Sequence, residues 1–183
     1  LKGGSRRDDA EDLLQHLEKA VGKCSQAWKT FTHTGIEHEQ TDGCIFAHQK
    51  KYADQLVPME VASLKGQEEE TVVDDTHSSL YLSLLGGAAW LVLTRADIAV
   101  YIQALQRRAQ SPGVIDCKRL NVVVRFVKRH HHGLRYHKLS LQAPPCLATL
   151  SDAAFKALVE ESSGLALRGC AILLAESDSS GII

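Results

Sequence analysis

Residues 78–108, SSLYLSLLGGAAWLVLTRADIAVYIQALQRR, form the most apolar long stretch of this chain. Its first half, residues 80–93, carries apolar side chains almost all round a helical wheel, as expected of a helix in a core. Thr94 is placed to cap a second helix, with Asp97 as its capping-box acid three residues on. That helix is expected to end before Pro112. The stretch therefore predicts a buried helical hairpin.

Two adjacent glycines, Gly86 and Gly87, interrupt the first of these helices. Each costs a helix about 1 kcal/mol relative to Ala. We therefore expect a neighbouring element to approach the helix closely at this point.

The composition is that of an ordinary globular protein, with 183 residues, 44% apolar, 23% charged and a formal net charge of −1. No segment is long and apolar enough to predict a membrane span. The N-terminus lacks an apolar signal core and Met59 is the single methionine, so we expect an excerpt of a longer chain. Five cysteines at wide spacings predict free thiols in a reducing intracellular compartment, cytoplasm or nucleus.

The first part of the chain predicts a surface helix and then a β-hairpin. Asp8 or Asp9 is placed to cap a helix over residues 10–22, with an apolar stripe of Leu13, Leu14, Leu17, Ala20 and Val21. Residues 28–39 and 44–47 favour strands on either side of a Thr41-Asp42-Gly43 turn. A short helix over residues 49–56 should end before Pro58.

Residues 62–77 are acidic and small, which predicts an exposed linker. At its end, Asp74, Asp75 and Thr76 are placed to cap the long apolar helix. Both aspartate pairs, Asp8-Asp9 and Asp74-Asp75, imitate a polymerase metal site, but neither lies between two strands. Capping is the better interpretation of both pairs.

Residues 114–131 predict a third helix with two contrasting sides. Leu120, Val123, Val124 and Val127 share one side, and Lys118, Arg125 and Arg129 share the other, flanked by Arg119 and Lys128. Gly133 suits the left-handed position after the helix. Cations near a helix C-terminus oppose its dipole, but the density of residues 128–132 exceeds what capping requires.

The last part of the chain predicts two strands. Residues 146–150 form a short apolar strand that ends at Ser151-Asp152, and residues 164–175 form a second strand, with a turn at 156–163. A carboxylate at a strand end, such as Asp152, can be held rigidly against a divalent metal. An isolated Asp there is otherwise a turn residue or cap, and this alternative stays open.

Several motifs resemble copia-type retrotransposon reverse transcriptases. The central one resembles the family's Y-x-x-L-x-G-x-L-x-W/Y … T-R-P-D-I signature through Tyr81, Leu84, Gly86, Gly87, Trp90, Thr94, Arg95, Asp97 and Ile98. Ala88 and Ala96 depart from the Leu and Pro usual in the family. Upstream, a G-I … Q-x-x-Y element is similar through Gly35, Ile36, Gln49 and Tyr52. Downstream matches are Lys118-Arg119, Arg125-Phe126, Gly133-Leu134-x-Tyr136 and Ser151-Asp152-Ala153-Ala154-Phe155.

The resemblance implies a fragment of a Pol polyprotein with an α+β fold. It implies the end of the reverse transcriptase palm at residues 1–61, the linker at 62–77, a helical thumb at 78–132 and the opening β-hairpin of an incomplete ribonuclease H-like domain at 133–183. Expected partners are an RNA/DNA hybrid or template-primer duplex and the rest of the polyprotein, with no membrane. The hybrid-binding candidates are Lys118, Arg119, Arg125, Lys128 and Arg129.

The resemblance also sets expectations for catalysis. Asp152 matches the first ribonuclease H acid, and Glu160, Glu161, Glu176 and Asp178 do not clearly match the others. The chain contains no Y-x-D-D, so we expect no polymerase activity and no cofactor in this fragment, with Mg²⁺ expected only in a complete parent. Whether the fragment acts in an enzyme is therefore left open.

Two alternatives come from other classes of protein. One is a degenerate or repurposed helical module that binds a partner through its apolar hairpin. The other is a zinc-binding domain built on Cys24, His33, His38, Cys44 and His48, although their spacing fits no closed zinc motif.

Overall fold

The computed structural model describes residues 6–24, 27, 29–138, 145–154, 167–178 and 181–182. They form an α+β protein, as the sequence predicts, with two compact units, Leu1–Tyr136 and His137–Ile183. The α-helices of the described part are α1 Arg6–Val21, α2 Lys50–Gln55, α3 Asp75–Trp90, α4 Ala99–Gln106 and α5 Val114–Arg129. Its strands are β1 Thr30–His33, β2 Ile36–Gln40, β3 Cys44–His48, β4 Leu134–His137, β5 Pro145–Ala154, β6 Leu167–Asp178 and β7 Gly181–Ile182.

The first unit combines a four-stranded sheet of order β1-β2-β3-β4 with a helical core. The hairpin predicted around Thr41-Asp42-Gly43 is confirmed, because β2 and β3 pair antiparallel on either side of that turn. The first predicted strand, residues 28–39, is divided in two, since β1 and β2 pair antiparallel around a turn at Gly35. Gly35 has φ +77, which an L side chain rarely adopts, and so allows that tight turn.

Helices α2 to α5 enclose one hydrophobic core. Its fully buried members include Tyr81, Leu91, Ile98, Leu120, Val124 and Val127. The apolar side predicted for α5 is therefore confirmed. Tyr81 also donates a hydrogen bond from its hydroxyl to the Leu105 carbonyl, at 2.8 Å, which fastens α3 to α4. Burial raises the pKa of this hydroxyl, first by desolvation and then through the charge of Asp116.

The predicted helical hairpin is wrong in one respect, because α3 is not covered on all sides. Leu82, Trp90 and Leu93 remain about half exposed along one edge of the hairpin. Gly87 does approach a neighbour, since a Cβ there would lie 3.0 Å from Leu56 Cδ2. Gly86, in contrast, faces open space, so no close contact in the described chain accounts for it.

Three capping predictions are wrong. Helix α1 begins at Arg6, so Asp8 and Asp9 lie inside its first turn and do not precede it. Thr94 is not the N-cap of α4, which is Ile98; two short 3₁₀ turns separate α3 from α4, and Arg95 stands at the start of the second turn. Gly133 has no left-handed backbone, and α5 ends at Arg129 with His130 as its C-cap.

Gly133 is required for a different reason. A Cβ there would collide with the Ala47 carbonyl and would lie 2.8 Å from the Phe46 ring and 2.9 Å from His48 Cβ. The chain leaving α5 therefore passes directly against β3 before it pairs as β4.

Other capping and linker predictions have mixed outcomes. Asp74 is the N-cap of α3, as predicted, and its carboxylate accepts a hydrogen bond from the His77 backbone N at 2.9 Å. The stretch 62–77 is mostly exposed, but Leu64 and Val73 are buried in the core. The stripe on α1 stays uncovered, because Leu13, Leu17 and Val21 are exposed.

In the second unit, β5 and β6 form a long antiparallel hairpin, and β7 pairs with the end of β6. Asp152 lies inside β5 opposite Gly169, whereas the sequence placed it at the end of the strand. Glu176 and Asp178 lie within β6. The turn predicted at 156–163, with Glu160 and Glu161, falls outside the described residues.

Candidate nucleic-acid interface

Helix α5 presents a line of cations on the side away from the core. Lys118, Arg125 and Arg129 recur at i, i+7 and i+11 and are exposed, and Arg119 is exposed beside them. We call Lys118, Arg119, Arg125 and Arg129 the basic stripe. Leu120, Val124 and Val127 are fully buried on the opposite side, so packing fixes which side of α5 faces solvent.

Members of the basic stripe differ in their ion pairs. Lys118 Nζ lies 3.7 Å from Glu69 Oε1, and Arg119 Nη1 lies 3.9 Å from Asp116 Oδ1. Arg125 and Arg129 make no ion pair with any residue that the structure describes. Exposed pairs such as that of Lys118 contribute at most about 1 kcal/mol and are easily exchanged for a phosphate. Arg125 and Arg129 are the members most available to an anionic partner.

Lys128, also predicted to bind nucleic acid, turns its side chain towards α2. Its Nζ donates to the Asp54 carbonyl at 2.9 Å and to the Leu56 carbonyl at 2.8 Å. These carbonyls belong to the C-terminal end of α2, where a cation satisfies acceptors and opposes the helix dipole. The helical wheel alone does not reveal this inward turn of the side chain.

The histidines that follow α5 are likewise drawn into contacts. His130 packs against Phe126 with ring centroids 4.7 Å apart, and His131 Nε2 lies 4.0 Å from Asp54 Oδ1. Beyond them, the Arg135 guanidinium lies 4.4 Å from the centre of the Phe46 ring. The density of cations at residues 128–132 is therefore partly explained by packing.

Arg95 is the most constrained of the motif residues. Its side chain is only 4% exposed. Its Nε and Nη2 donate hydrogen bonds to Asp97 Oδ1 and Oδ2, at 2.8 and 2.7 Å. Its Nη1 also donates to the His130 carbonyl at 2.6 Å, and its charge lies 5.5 Å from the centre of the Phe126 ring. Arg95 thereby caps the C-terminal end of α5, and the hydrogen bonds from its side chain lower the pKa of Asp97.

Other residues of the central motif contact the upstream motif. Thr94 donates from Oγ1 to Gln49 Oε1 at 2.9 Å, and a Cβ at Gly87 would lie 3.3 Å from the Tyr52 hydroxyl. Trp90 lies over the β1–β2 turn, since a Cβ at Gly35 would be 3.5 Å from its indole nitrogen.

The motifs read separately along the chain therefore meet in one place. The upstream motif contacts Thr94 and Gly87, Arg95 contacts the end of α5, and Gly133 passes against β3. The motif residues that make these contacts hold the fold together, and they orient α5 so that the basic stripe faces outward.

Two buried polar groups were not singled out by the sequence reasoning. Asn121 accepts from the Met59 backbone N and donates to the Met59 carbonyl, both at 2.8 Å, which clamps the loop after α2 onto α5. Asp116 accepts from the Gly113 backbone N at 2.8 Å and steadies the start of α5. The sequence did contain a signal for Asn121: an Asn next to the apolar side of the α5 helical wheel is expected to be buried and hydrogen-bonded.

No metal site is formed by the residues that the structure describes. They contain no group of three or more His, Cys, Asp or Glu side chains able to hold an ion, so the five proposed zinc ligands are not brought together. Asp152 pairs with Gly169 across the hairpin, and the residues on either side of Gly169 are Arg168 and Cys170. None of these three positions of β6 is an Asp or Glu.

The cysteines and the helices of the described chain give two further structural facts. All five cysteines are free, and Cys117 is fully buried on α5, where desolvation raises the pKa of its thiol to about 11. None of the described helices has both the length and the apolar character needed to cross a membrane.

The chain is similar in sequence to a plant mitochondrial protein. The chain is 30% identical over 117 residues to an Arabidopsis thaliana protein named uncharacterized mitochondrial protein AtMg00810. The match covers 58% of this chain and 49% of that protein, so this chain spans about half the length of its relative. It is compatible with the retroelement relationship that the motifs suggest. No family model matches the chain, and no solved structure matches it significantly.

Proposed function

We propose that this chain is part of a copia-type Pol polyprotein, covering the end of the reverse transcriptase palm, the thumb and the start of ribonuclease H. Its contribution is to bind the sugar-phosphate backbone of an RNA/DNA hybrid or template-primer duplex. The observation that carries the proposal is the basic stripe, an outward line of cations on a helix whose opposite side is locked in the core.

The local distribution of charged residues supports this function better than the net charge of the chain does. The formal net charge is −1, so the chain as a whole does not attract a polyanion. The attraction must come from a local patch, and Lys118, Arg125 and Arg129 lie on one exposed side of α5, where they can contact phosphates of a duplex. Such contacts position a duplex without reading its sequence.

In this proposal the fragment binds and does not catalyse by itself. Asp152 is the one position matched to a ribonuclease H acid, and the remaining acids and the polymerase aspartates would come from other parts of the parent polyprotein. Phosphoryl transfer requires carboxylates that hold metal ions at the attacking and leaving oxygens. The parent would then be an RNA-directed DNA polymerase with ribonuclease H that uses Mg²⁺.

The test compares hybrid binding by the wild-type chain and the double variant Arg125→Ala/Arg129→Ala across a series of salt concentrations. The wild-type affinity should fall steeply with salt. Losing two phosphate contacts should weaken binding at low salt and reduce the slope of log K against log[salt] by about 1.8.

The matched control is Lys65→Ala/Arg107→Ala, which removes two exposed cations from other parts of the first unit. This control should retain the wild-type affinity and slope. Equal losses in both double variants would indicate a general charge effect, and no loss in either would contradict the proposal.

A second candidate, a non-catalytic interaction module, is favoured by the uncovered edge of α3. Leu82, Trp90 and Leu93 are exposed there beside Gly86, which faces open space. The same salt series separates the two functions, because a module that binds through apolar surface would show neither hybrid affinity nor dependence on the basic stripe.

A further inference from the structure

Three side chains near the start of α3 form a continuous line of hydrogen bonds. The His77 ring lies in the middle: its Nδ1 is 2.8 Å from Asp74 Oδ2, and its Nε2 is 3.0 Å from Ser63 Oγ. Ser63 belongs to the 3₁₀ turn Ala62–Leu64, in the stretch that leads to α3. The fold therefore brings a hydroxyl, an imidazole and a carboxylate together outside the basic stripe.

The carboxylate decides which nitrogen of the imidazole carries the proton. Hydrogen bonds from the His77 backbone N and from its ring lower the pKa of Asp74, so the carboxylate is ionised and can only accept. In the neutral His77 ring the proton must then lie on Nδ1, which leaves Nε2 as an acceptor. Ser63 Oγ is consequently the donor in the 3.0 Å contact. An imidazole that accepts from a hydroxyl in this way is placed to act as a general base.

The exposure of the three groups suits a reaction with an external molecule. Ser63 is exposed to solvent, whereas the His77 side chain is only 15% exposed. Asp74 is also the N-cap of α3 and accepts from the His77 backbone N at 2.9 Å, so one carboxylate holds both the backbone and the ring of His77. A cap requires only the backbone bond. The further bond to the ring leaves a fixed base beside a hydroxyl that substrates can reach.

We propose that Ser63 and His77 are catalytic residues for acyl transfer from small activated esters, and that Asp74 is the positioning residue for His77. Ser63 Oγ attacks the carbonyl carbon of the ester, and its proton passes to His77 Nε2. As the bond from that carbon to the alcohol oxygen breaks, His77 gives the proton to the leaving oxygen, and Ser63 carries the acyl group. Water then attacks the acyl group with His77 again as base, which releases the carboxylic acid and restores the hydroxyl of Ser63.

This activity goes beyond the binding of nucleic acid and uses no residue of the basic stripe. It would therefore persist in a chain whose basic stripe does not bind a hybrid. The acceleration expected is that of general-base catalysis, about 10²-fold or more in the attack by Ser63.

Covalent labelling of the whole chain with a fluorophosphonate tests the nucleophile directly. The Ser63 oxygen displaces fluoride from phosphorus while its proton passes to His77, and mass spectrometry of the peptides locates the added phosphonyl group. The wild type should be labelled at Ser63, and Ser63→Ala should lose this label. His77→Gln should be labelled at Ser63 about 100-fold more slowly than the wild type.

Hydrolysis of p-nitrophenyl acetate measures the complete reaction. Free thiols such as the exposed Cys170 also react with this ester, so the activity is the rate of the wild type minus that of Ser63→Ala. This difference should be positive and should persist after the thiols have been acylated, because Ser63 turns over.

The matched control is Ser83→Ala, which removes an exposed hydroxyl further along α3 and should keep the wild-type labelling and hydrolysis. Equal labelling of Ser63 and Ser83, no labelling of Ser63, or a rate at Ser63 that His77→Gln leaves unchanged would overturn the proposal. Folding of each variant is checked by circular dichroism. If His77→Gln does not fold, the hydrolysis rates of wild type and Ser63→Ala decide, and equal rates refute the activity.

Asp74→Asn separates positioning from capping. Asn is also a good N-cap, so Tm should stay close to that of the wild type. The ¹⁵N NMR signals of the His77 ring should show the proton on Nδ1 in the wild type and a changed tautomer in Asp74→Asn, with slower labelling of Ser63. An unchanged tautomer and labelling rate would show that Asp74 acts only as a cap and would overturn its positioning role.

Discussion

Arg95 and the pair Arg125 and Arg129 carry the same side chain within one unit, yet they are used in opposite ways. Arg95 is buried and has hydrogen-bond acceptors on three of its nitrogen atoms. Arg125 and Arg129 are exposed and make no ion pair with the residues that the structure describes. The difference shows that a dense group of cations in sequence is not by itself a binding surface. Burial and partners decide which charges hold the fold and which are left for a ligand.

The largest effect should follow from removing the inward cation. Arg95→Ala leaves the His130 carbonyl and the Asp97 carboxylate without their donors, and we expect the free energy of unfolding to fall by about 3 kcal/mol. Arg95→Lys should recover only part of this loss, because one ammonium cannot reproduce the planar fork. Urea unfolding followed by circular dichroism measures both changes.

The outward cations provide the contrast. Arg125→Ala and Arg129→Ala should each change the free energy of unfolding by no more than about 0.5 kcal/mol. A loss in Arg125→Ala as large as that in Arg95→Ala would abolish the distinction between the two kinds of cation.

An intermediate effect is expected at Lys128, which lies on α5 but turns inward. Lys128→Met keeps the length of the side chain and removes the donors to the Asp54 and Leu56 carbonyls. We expect a loss of about 1–2 kcal/mol in the same urea experiment, with little change in hybrid affinity. A large loss of affinity with unchanged stability would instead place Lys128 with the basic stripe.

The smallest effect concerns pH and the partner of Arg95. Hydrogen bonds from Arg95 lower the pKa of Asp97 in the folded state. The carboxylate therefore stabilises the fold above its unfolded pKa, and this contribution is lost as the pH falls through that value towards the folded pKa. The stability difference between the wild type and Asp97→Asn should be constant from neutral pH to about pH 5 and should shrink below about pH 4.

Asp42→Asn provides the control for this pH series, since Asp42 lies in an exposed turn and makes no ion pair with the residues that the structure describes. Its stability difference from the wild type should not follow the same course. A difference for Asp97→Asn that is unchanged down to pH 3 would show that the Arg95 contact does not depend on the charge of Asp97.

The sequence determined the elements whose signal is local and periodic. The apolar side of α5, the Asp74 cap of α3, the short α2 before Pro58 and the strand pairing around β2 and β3 were all predictable. These features follow from hydrophobic periodicity and from turn and cap chemistry, which act over a few residues. The outward direction of Lys118, Arg125 and Arg129 was predictable for the same reason.

Only the tertiary structure decided the roles of Thr94, Arg95, Lys128 and Gly133. Thr94 and Asp97 have the spacing of a cap, but Gln49 and Arg95 offer them stronger partners from other parts of the fold. Lys128 finds the carbonyls of α2 some 70 positions earlier in the chain. Gly133 is needed because β3 passes against it and not because a helix ends there. A side chain with several possible partners is assigned to one of them by packing, and packing joins segments that a local pattern cannot connect.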